Sequence, residues 1–324
     1  MRQGLGSFMR SNCADLHSKS NLSYRRAMAD ISKFLRYTQE AGNSKSSVLA
    51  DPAAAVQSWI DQLIVDGKSP ATIHTYAASA CRGLQICMDQ VSTPRRTVAS
   101  KSKSIGLCQR SADERFKPGN LRLVQFQQVV GIRRSELAAL RGRNLKRDFS
   151  GALCVEVERG KGGKYQLQRI APQNEVFVSS YFSRVRPDEL VFSPAETGNK
   201  NLDLHGIRAE HARAEYERYL SICHQPGGRA QLQHDLLGRY TSAGPEGCKA
   251  YQMAQQRGKP LSAAALLNHF VLEMQGTYHL RGDNRRTALQ LGRPISYDKT
   301  ALMAVSVFAL AHWRNEVAVK HYMI

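Results

Sequence analysis

Gly131-Ile132-Arg133-Arg134-Ser135-Glu136-Leu137 lies inside the longer stretch GNLRLVQFQQVVGIRRSELAALRGRNL, and its reading decides the fold of the second half of the chain. Apolar residues recur at helical spacing on both sides of Gly131, so the stretch predicts two helices joined at that glycine. Further on, Leu153, Val155 and Val157 alternate with polar residues, which predicts a half-buried strand. Gly160 to Gly163 supplies a turn, and Tyr165 and Leu167 carry the alternation into a returning strand. A helix pair followed by a hairpin implies a mixed α+β domain with a small antiparallel sheet, running from about residue 109 to 324.

Working outward toward the N-terminus, the pattern changes to helices alone. Tyr24, Met28, Ile31 and Leu35 share one helical face. Asp51-Pro52 opens a helix carrying Val56, Trp59, Ile60, Leu63 and Ile64, and Gly67 ends it. Ser69-Pro70 repeats the start signal, a capping hydroxyl before a proline whose missing N–H costs nothing at the first helical position, and Ile73, Tyr76, Ala80 and Leu84 follow. Residues 21–90 therefore read as a small all-α bundle. The polar residues 1–20 read as a flexible arm. Residues 91–108, beginning VSTPRRTVASKSKS, have no periodicity and read as a solvated basic linker.

At 324 residues the chain can bury two cores. Its formal charge of +19 and isoelectric point near 9.9 call for a polyanionic partner, with nucleic acid first. No apolar run approaches the roughly 20 residues needed to span a bilayer, and the start MRQGLGSFMRSNCADLHSK lacks a signal-peptide core. A soluble cytoplasmic protein without a membrane partner is the expectation. Seven scattered cysteines, Cys13, Cys81, Cys87, Cys108, Cys154, Cys223 and Cys248, show neither C-x-x-C pairs nor zinc-ligand spacing and fit reduced thiols.

Breaking a phosphodiester requires stabilising extra negative charge on a five-coordinate phosphorus, by metal ions or by fixed cations. The sequence offers no acidic metal cluster, so neither metal nor cofactor is expected. Arginine suits the task because its planar fork holds two phosphate oxygens and stays charged. Arg133 and Arg208 are the candidates. His205-Gly206-Ile207-Arg208 places a histidine and an arginine on one helix face, and Lys161 sits in the turn Gly160-Lys161-Gly162-Gly163-Lys164, with Lys164 in reserve. Ala311-His312-Trp313-Arg314 and His321-Tyr322 follow near the end of the chain. Taken singly, each fragment fits an ordinary surface helix, turn or terminus equally well.

In this order the fragments resemble the tyrosine recombinase (phage integrase) family: G-x-R-x-x-E-L at 131–137, a lysine in a hairpin turn, H-x-x-R at 205–208, with Ala212 and Tyr216 extending it, then a histidine box and a late tyrosine. The resemblance covers the chain from its middle to its end. It implies an N-terminal SAM-like core-binding domain and a C-terminal mixed α/β catalytic domain. It also implies cleavage and rejoining of duplex DNA at attachment sites through a 3′-phosphotyrosyl intermediate, without ATP. On that reading Tyr322 is the nucleophile, Arg133 (oriented by Glu136) and Arg208 stabilise the transition state, and His312 hydrogen-bonds the phosphate. Lys161 is the general acid and His205 the proton-accepting partner. A homotetramer on DNA, DNA-bending or directionality factors, and a bacterial mobile-element setting near the nucleoid follow from the same resemblance.

The pattern departs from the family in three ways. Ten residues separate His312 from Tyr322, one more than is usual. The interval from Arg208 to His312 is long, which marks residues 221–295 as an insertion with a helical piece near 261–275. The chain ends two residues after Tyr322, where many relatives carry a further helix that docks on a neighbouring protomer; intersubunit regulation would then use another element, with the insertion a candidate. A rival pair, His269 and Tyr278 in LLNHFVLEMQGTY, has the usual spacing of nine, but apolar Phe270, Val271 and Leu272 stand where the family has a polar turn. The regular run Leu302, Val305, Phe308, Ala309 instead predicts a buried helix leading into His312. A type IB topoisomerase, a catalytically inactive DNA-binding relative and an unrelated basic adaptor are the alternatives.

Overall fold

The computed structural model describes residues 4–16, 21–95, 112–160, 165–243, 251, 254, 258–259 and 261–324. The chain divides into two units, Met1–Lys103 and Ser104–Ile324.

The first unit is all helix: α1 (Leu5–Ser11), α2 (Asn21–Glu40), α3 (Lys45–Ala50), α4 (Pro52–Val65) and α5 (Pro70–Leu84). The Asp51 carboxylate accepts from the amide of Ala54 at 2.9 Å and the Ser69 hydroxyl from that of Thr72 at 3.2 Å. Each fills an orphan donor of a helix that begins with proline. Phe34, Trp59, Ile60 and Ile73 form the core, with the Phe34 and Trp59 rings 5.3 Å apart. That pairing turns α2 so that Ala27, Ile31 and Phe34 face inward, while Tyr24, Met28 and Leu35 are only half-buried.

Of residues 1–20, expected as a flexible arm, Leu5–Ser11 form α1, and residues 1–3 and 17–20 lie outside the described residues. Met9 and Cys13, four residues apart, are fully buried in the bundle core, and α1 lies so close to α5 that a Cβ on Gly83 would collide with Met9. Two buried apolar side chains at helical spacing outweigh the polar residues between them. Val91 to Arg95 form neither α-helix nor strand. The rest of the expected linker, residues 96–108, lies outside the described residues.

The second unit is α+β. It opens with α6 (Pro118–Val130) and α7 (Arg134–Leu137), joined through Gly131 at φ +63°. A Cβ at Gly131 would overlap the His211 ring, so glycine is required there by both conformation and space. Three antiparallel strands follow in the order β1 (Leu145–Arg147), β2 (Leu153–Val157), β3 (Gln166–Arg169), with Leu145 opposite Val155 and Val155 opposite Gln168.

The alternation read in the sequence does not describe this sheet. All five residues of β2 are buried, because the strand is central, and Glu156 is accommodated by Lys146 and Tyr165 at 2.8 and 2.9 Å. In β3 the glutamines Gln166 and Gln168 face inward and Leu167 is half-buried; Gln168 donates to the carbonyl of Val130, tying the sheet to the end of α6.

Next come α8 (Glu175–Phe182), α9 (Pro194–Gly198) and the long α10 (Leu204–His224). Residues 221–295, expected as an insertion, supply the end of α10, then α11 (Gly228–Ala243), α12 (Ala263–Glu273), β4 (Thr277–His279) and α13 (Gly282–Gln290). Strand β5 (Ser296–Asp298) pairs with β4 and is followed by α14 (Lys299–Ala304), a π-helical turn Val305–Ala309, α15 (Asn315–Ala318) and a π-helical turn Val319–Met323. This region is no appendage: Leu236, Tyr240, Phe270 and Met274 share one core with Phe308 and Tyr322. The other core of the unit joins α6 and α7 to the sheet through Phe126, Ile132, Leu137 and Val155. Helix α10 runs between the two, with Ile207 in one and Tyr216 and Tyr219 in the other, and Arg208 falls at the seam.

Candidate active site

Arg208 is 1% exposed and is among the largest fully buried side chains of the protein. Its Nη2 donates to the carbonyl of Leu310 at 2.9 Å, and the Glu136 carboxylate lies 3.7 Å from Nη1. Its Nε and Nη1 have no hydrogen-bond partner. A buried guanidinium with unmet donors is costly, and the helix seam holds it against a cleft of about 790 Å³ lined by Arg133, Ser135, Thr197, Lys200, His205 and Arg208 itself, among others. Burial, first, and then the neighbouring Arg133 push its pKa down, while the Tyr322 hydroxyl and Glu136 act in the opposite sense.

Arg133 and Arg134, adjacent in sequence, have separate tasks. Arg134 donates to the carbonyls of Thr197 and Asn199 at 2.7 and 2.8 Å and also to that of Leu202; it fastens the loop before α10. Arg133 points the other way. Its Nη1 bonds Glu136 Oε1 at 2.6 Å, its backbone N–H bonds Glu136 Oε2 at 2.7 Å, and its Nη2 lies 3.3 Å from His312 Nε2. Glu136, only 4% exposed, thus stands between the two arginines. The buried Gln127 side chain completes the frame, donating to the carbonyls of Ile132 at 2.6 Å and Leu204 at 3.0 Å, which holds the two arginine segments together.

His312 does not sit on a continuing helix. The chain leaves the π-helical turn after Ala309, and Ala311 and Trp313 take left-handed backbone angles, φ +51° and +59°, on either side of His312. Ser306 fixes this reversal: its carbonyl accepts from the His312 amide at 2.7 Å and its hydroxyl exchanges bonds with the backbone of Arg314 at 2.9 and 3.1 Å. The ring then meets Tyr322, with Nε2 3.1 Å from the phenolic oxygen. Arginine has only hydrogens to offer, so the contact with Arg133 makes Nε2 an acceptor. Burial, then Arg208 and Arg133, lower the His312 pKa to about 2, which keeps the imidazole neutral.

Tyr322 is 4% exposed. Its ring lies 5.4 Å from the Arg208 guanidinium carbon and 5.4 Å from the His205 ring centre. His205 is exposed to the cleft on one side; desolvation of its inner side lowers its pKa, Asp203 opposes this, and Arg208 and Arg133 add to it. Arg133, His205, Arg208, His312 and Tyr322 therefore converge, with Tyr322 presented by the π-helical turn Val319–Met323. Lys161 and Lys164 lie outside the described residues.

The rival pair is placed elsewhere in the unit. His269 is exposed on α12. Tyr278 faces Tyr297 across the β4–β5 hairpin, and burial, then Glu316 and Glu273, raise its pKa. Phe270 stacks on Tyr240 with ring centres 4.7 Å apart and is core, whereas Val271 is half-buried and Leu272 exposed. Sequence reasoning missed Gln127, Ser306, Lys200 and the carbonyl of Leu310. The first carried a readable signal, a glutamine on the apolar face of a helix one turn before Gly131.

No family model matches the chain, and no curated protein matches it. A crystal structure of XerA recombinase aligns over 65% of this chain and 82% of that chain, at 14% identity and a TM-score of 0.23. At that score the superposition carries no argument, and the chemistry rests on the side chains. Among the described residues, no helix is long and apolar enough to cross a membrane, and no group of three His, Cys, Asp or Glu side chains is placed to hold a metal ion.

Proposed function

We propose that the protein is a site-specific DNA recombinase that cleaves and rejoins duplex DNA through Tyr322. The observation that carries this reading is the phenol of Tyr322 at 3.1 Å from His312 Nε2 and against the guanidinium of Arg208, whose Nε and Nη1 donors are unmet. In the reaction a phosphodiester takes up the donors of Arg208 and the outer face of Arg133, and Tyr322 Oη attacks phosphorus while its proton passes to His312 Nε2. The bond to the 5′ oxygen breaks as the phosphotyrosyl bond forms, and the leaving oxygen takes a proton from a general acid, the role proposed for Lys161. An imidazolium at His312 becomes affordable only when the phosphate offsets the two guanidinium charges, after which Nε2–H bonds a non-bridging oxygen. His205, on the cleft side, contacts the same phosphate. Rejoining reverses these steps, and exchange between two sites requires a DNA-assembled tetramer.

The test is covalent capture. Duplexes that the protein retains from a randomised pool are nicked one nucleotide beyond each candidate phosphate, so that the cleaved end diffuses away, and are run with the protein on a denaturing gel. Wild type forms an adduct and Tyr322→Phe forms none. Retention of DNA without any adduct from wild type would reduce the protein to a binder, and adduct formation by Tyr322→Phe that Tyr278→Phe abolishes would move the nucleophile. Relaxation of supercoils by the monomer, without exchange between two sites, would favour a type IB topoisomerase.

A further inference from the structure

The last carbonyls of a helix have no intrahelical donor, and side chains can supply one. In the turn Val319–Met323 two side chains do so. Arg213 Nη1, from α10, donates to the carbonyl of Tyr322 at 2.9 Å, and Tyr297 Oη, from β5, lies 3.4 Å from the carbonyl of Met323. Both are fixed from behind. Tyr297 is 2% exposed and packs edge-on against Tyr216 with ring centres 5.3 Å apart. The Tyr216 hydroxyl in turn accepts from the amide of Asp298 at 2.9 Å, locking the β4–β5 hairpin to α10. Arg213 is half-buried on the helix that also presents Arg208.

The geometry points to Arg213 and Tyr297 as positioning residues for the nucleophile: a two-point clamp on the backbone of Tyr322 and Met323 that keeps the phenol beside His312 and Arg208 of the same chain. The inference rests on the recombinase reading for its catalytic consequence, but the clamp is a property of the free protein. A helix carrying both the phosphate-binding arginine and the arginine that holds the tyrosine sets the distance between electrophile and nucleophile through one rigid element. The β4–β5 hairpin, whose first strand lies within residues 221–295, thereby acquires a function.

The experiment uses the full chain with 3-fluorotyrosine at position 322, followed by ¹⁹F NMR without DNA, and the nicked-duplex assay in single turnover with the natural tyrosine. Wild type gives one shifted resonance. Arg213→Ala moves it toward the solvent value, leaves DNA affinity within about twofold, and slows adduct formation about 10- to 100-fold, the factor expected from losing a charge-assisted hydrogen bond. Arg213→Lys, which can still reach the carbonyl, recovers part of both signals, a rescue that a merely structural role would not produce. Tyr297→Phe removes one hydroxyl from an otherwise unchanged core, guards against misfolding of the alanine variant, and slows the reaction severalfold. An unchanged resonance and rate in Arg213→Ala overturn the clamp, and so does a faster rate, which would mean that the contact stores the tyrosine away from its target. If wild type forms no adduct while the resonance still moves in Arg213→Ala, the clamp stands and the recombinase reading falls.

Discussion

Arg208 is the residue on which the site turns, because its guanidinium is 1% exposed, its Nε and Nη1 donors make no hydrogen bond, and Glu136, 3.7 Å from Nη1, offsets its charge only in part. Arg208→Met keeps most of the side-chain volume and removes the buried charge. Glu136 keeps its pairing with Arg133, so removing the buried donors that have no acceptor is expected to raise the urea midpoint, corresponding to about 1–3 kcal/mol, while abolishing adduct formation. A lower midpoint would show that the arginine is a structural strut. The histidines make a second prediction at this scale. His312, His205 and His211 all have pKa values lowered by burial, so between the folded and unfolded values the unfolded chain binds more protons than the folded one. Stability is then full above about pH 6.5 and falls as the pH drops, by up to about 1.4 kcal/mol per pH unit for each proton taken up. Urea titrations at pH 7 and pH 5 measure this, and His312→Gln should make the dependence visibly shallower. An unchanged pH dependence would mean that His312 takes up its proton equally in the folded and unfolded chain.

Among the elements, the segment from Val305 to Arg314 shows what a linear reading can and cannot reach. The run Leu302, Val305, Phe308, Ala309 is buried as its spacing predicts, and the arginine segments, the glycine between α6 and α7, and the capped helices of the first unit were all legible because local chemistry dictates them. The π-helical turn, the left-handed angles at Ala311 and Trp313, and Ser306 as their anchor were not legible, since they depend on what packs against the segment. The same holds for β2, whose Glu156 reads as solvent-facing until Lys146 and Tyr165 are placed around it, and for α1, whose polar residues hide Met9 and Cys13. Ser306 is fully buried and spans the reversal. Ser306→Ala strands the backbone groups of Arg314 and is expected to cost about 1–3 kcal/mol. Because the reversal aims His312, adduct formation should fall by more than the loss of folded protein accounts for; a fall that merely tracks stability would make the serine a packing residue only.

For the whole molecule, charge is the property that composition disclosed most directly. Each unit carries more Lys and Arg than Asp and Glu, and the second holds every described candidate catalytic group and both of its cores. Residues 112–324 should therefore fold alone, giving one cooperative urea transition, and should keep the Tyr322 resonance described above. On the recombinase reading, what such a fragment loses is phosphate contacts. Counterion release makes the logarithm of affinity fall linearly with the logarithm of salt concentration, with a slope of about 0.9 per phosphate neutralised. For the full chain, some six to ten contacts would lower affinity by about 10³- to 10⁵-fold between 50 and 200 mM salt. The fragment is expected to bind more weakly at low salt and with a distinctly smaller slope, because the lysines and arginines of residues 1–111 are gone. Arg208→Met in the full chain should change the slope by about one contact at most, since its task is at a single phosphate. Fluorescence anisotropy across a salt series measures all three proteins on one duplex. Equal slopes for fragment and full chain would show that the first unit does not touch DNA, and the all-helical bundle would then need a protein partner to explain its charge.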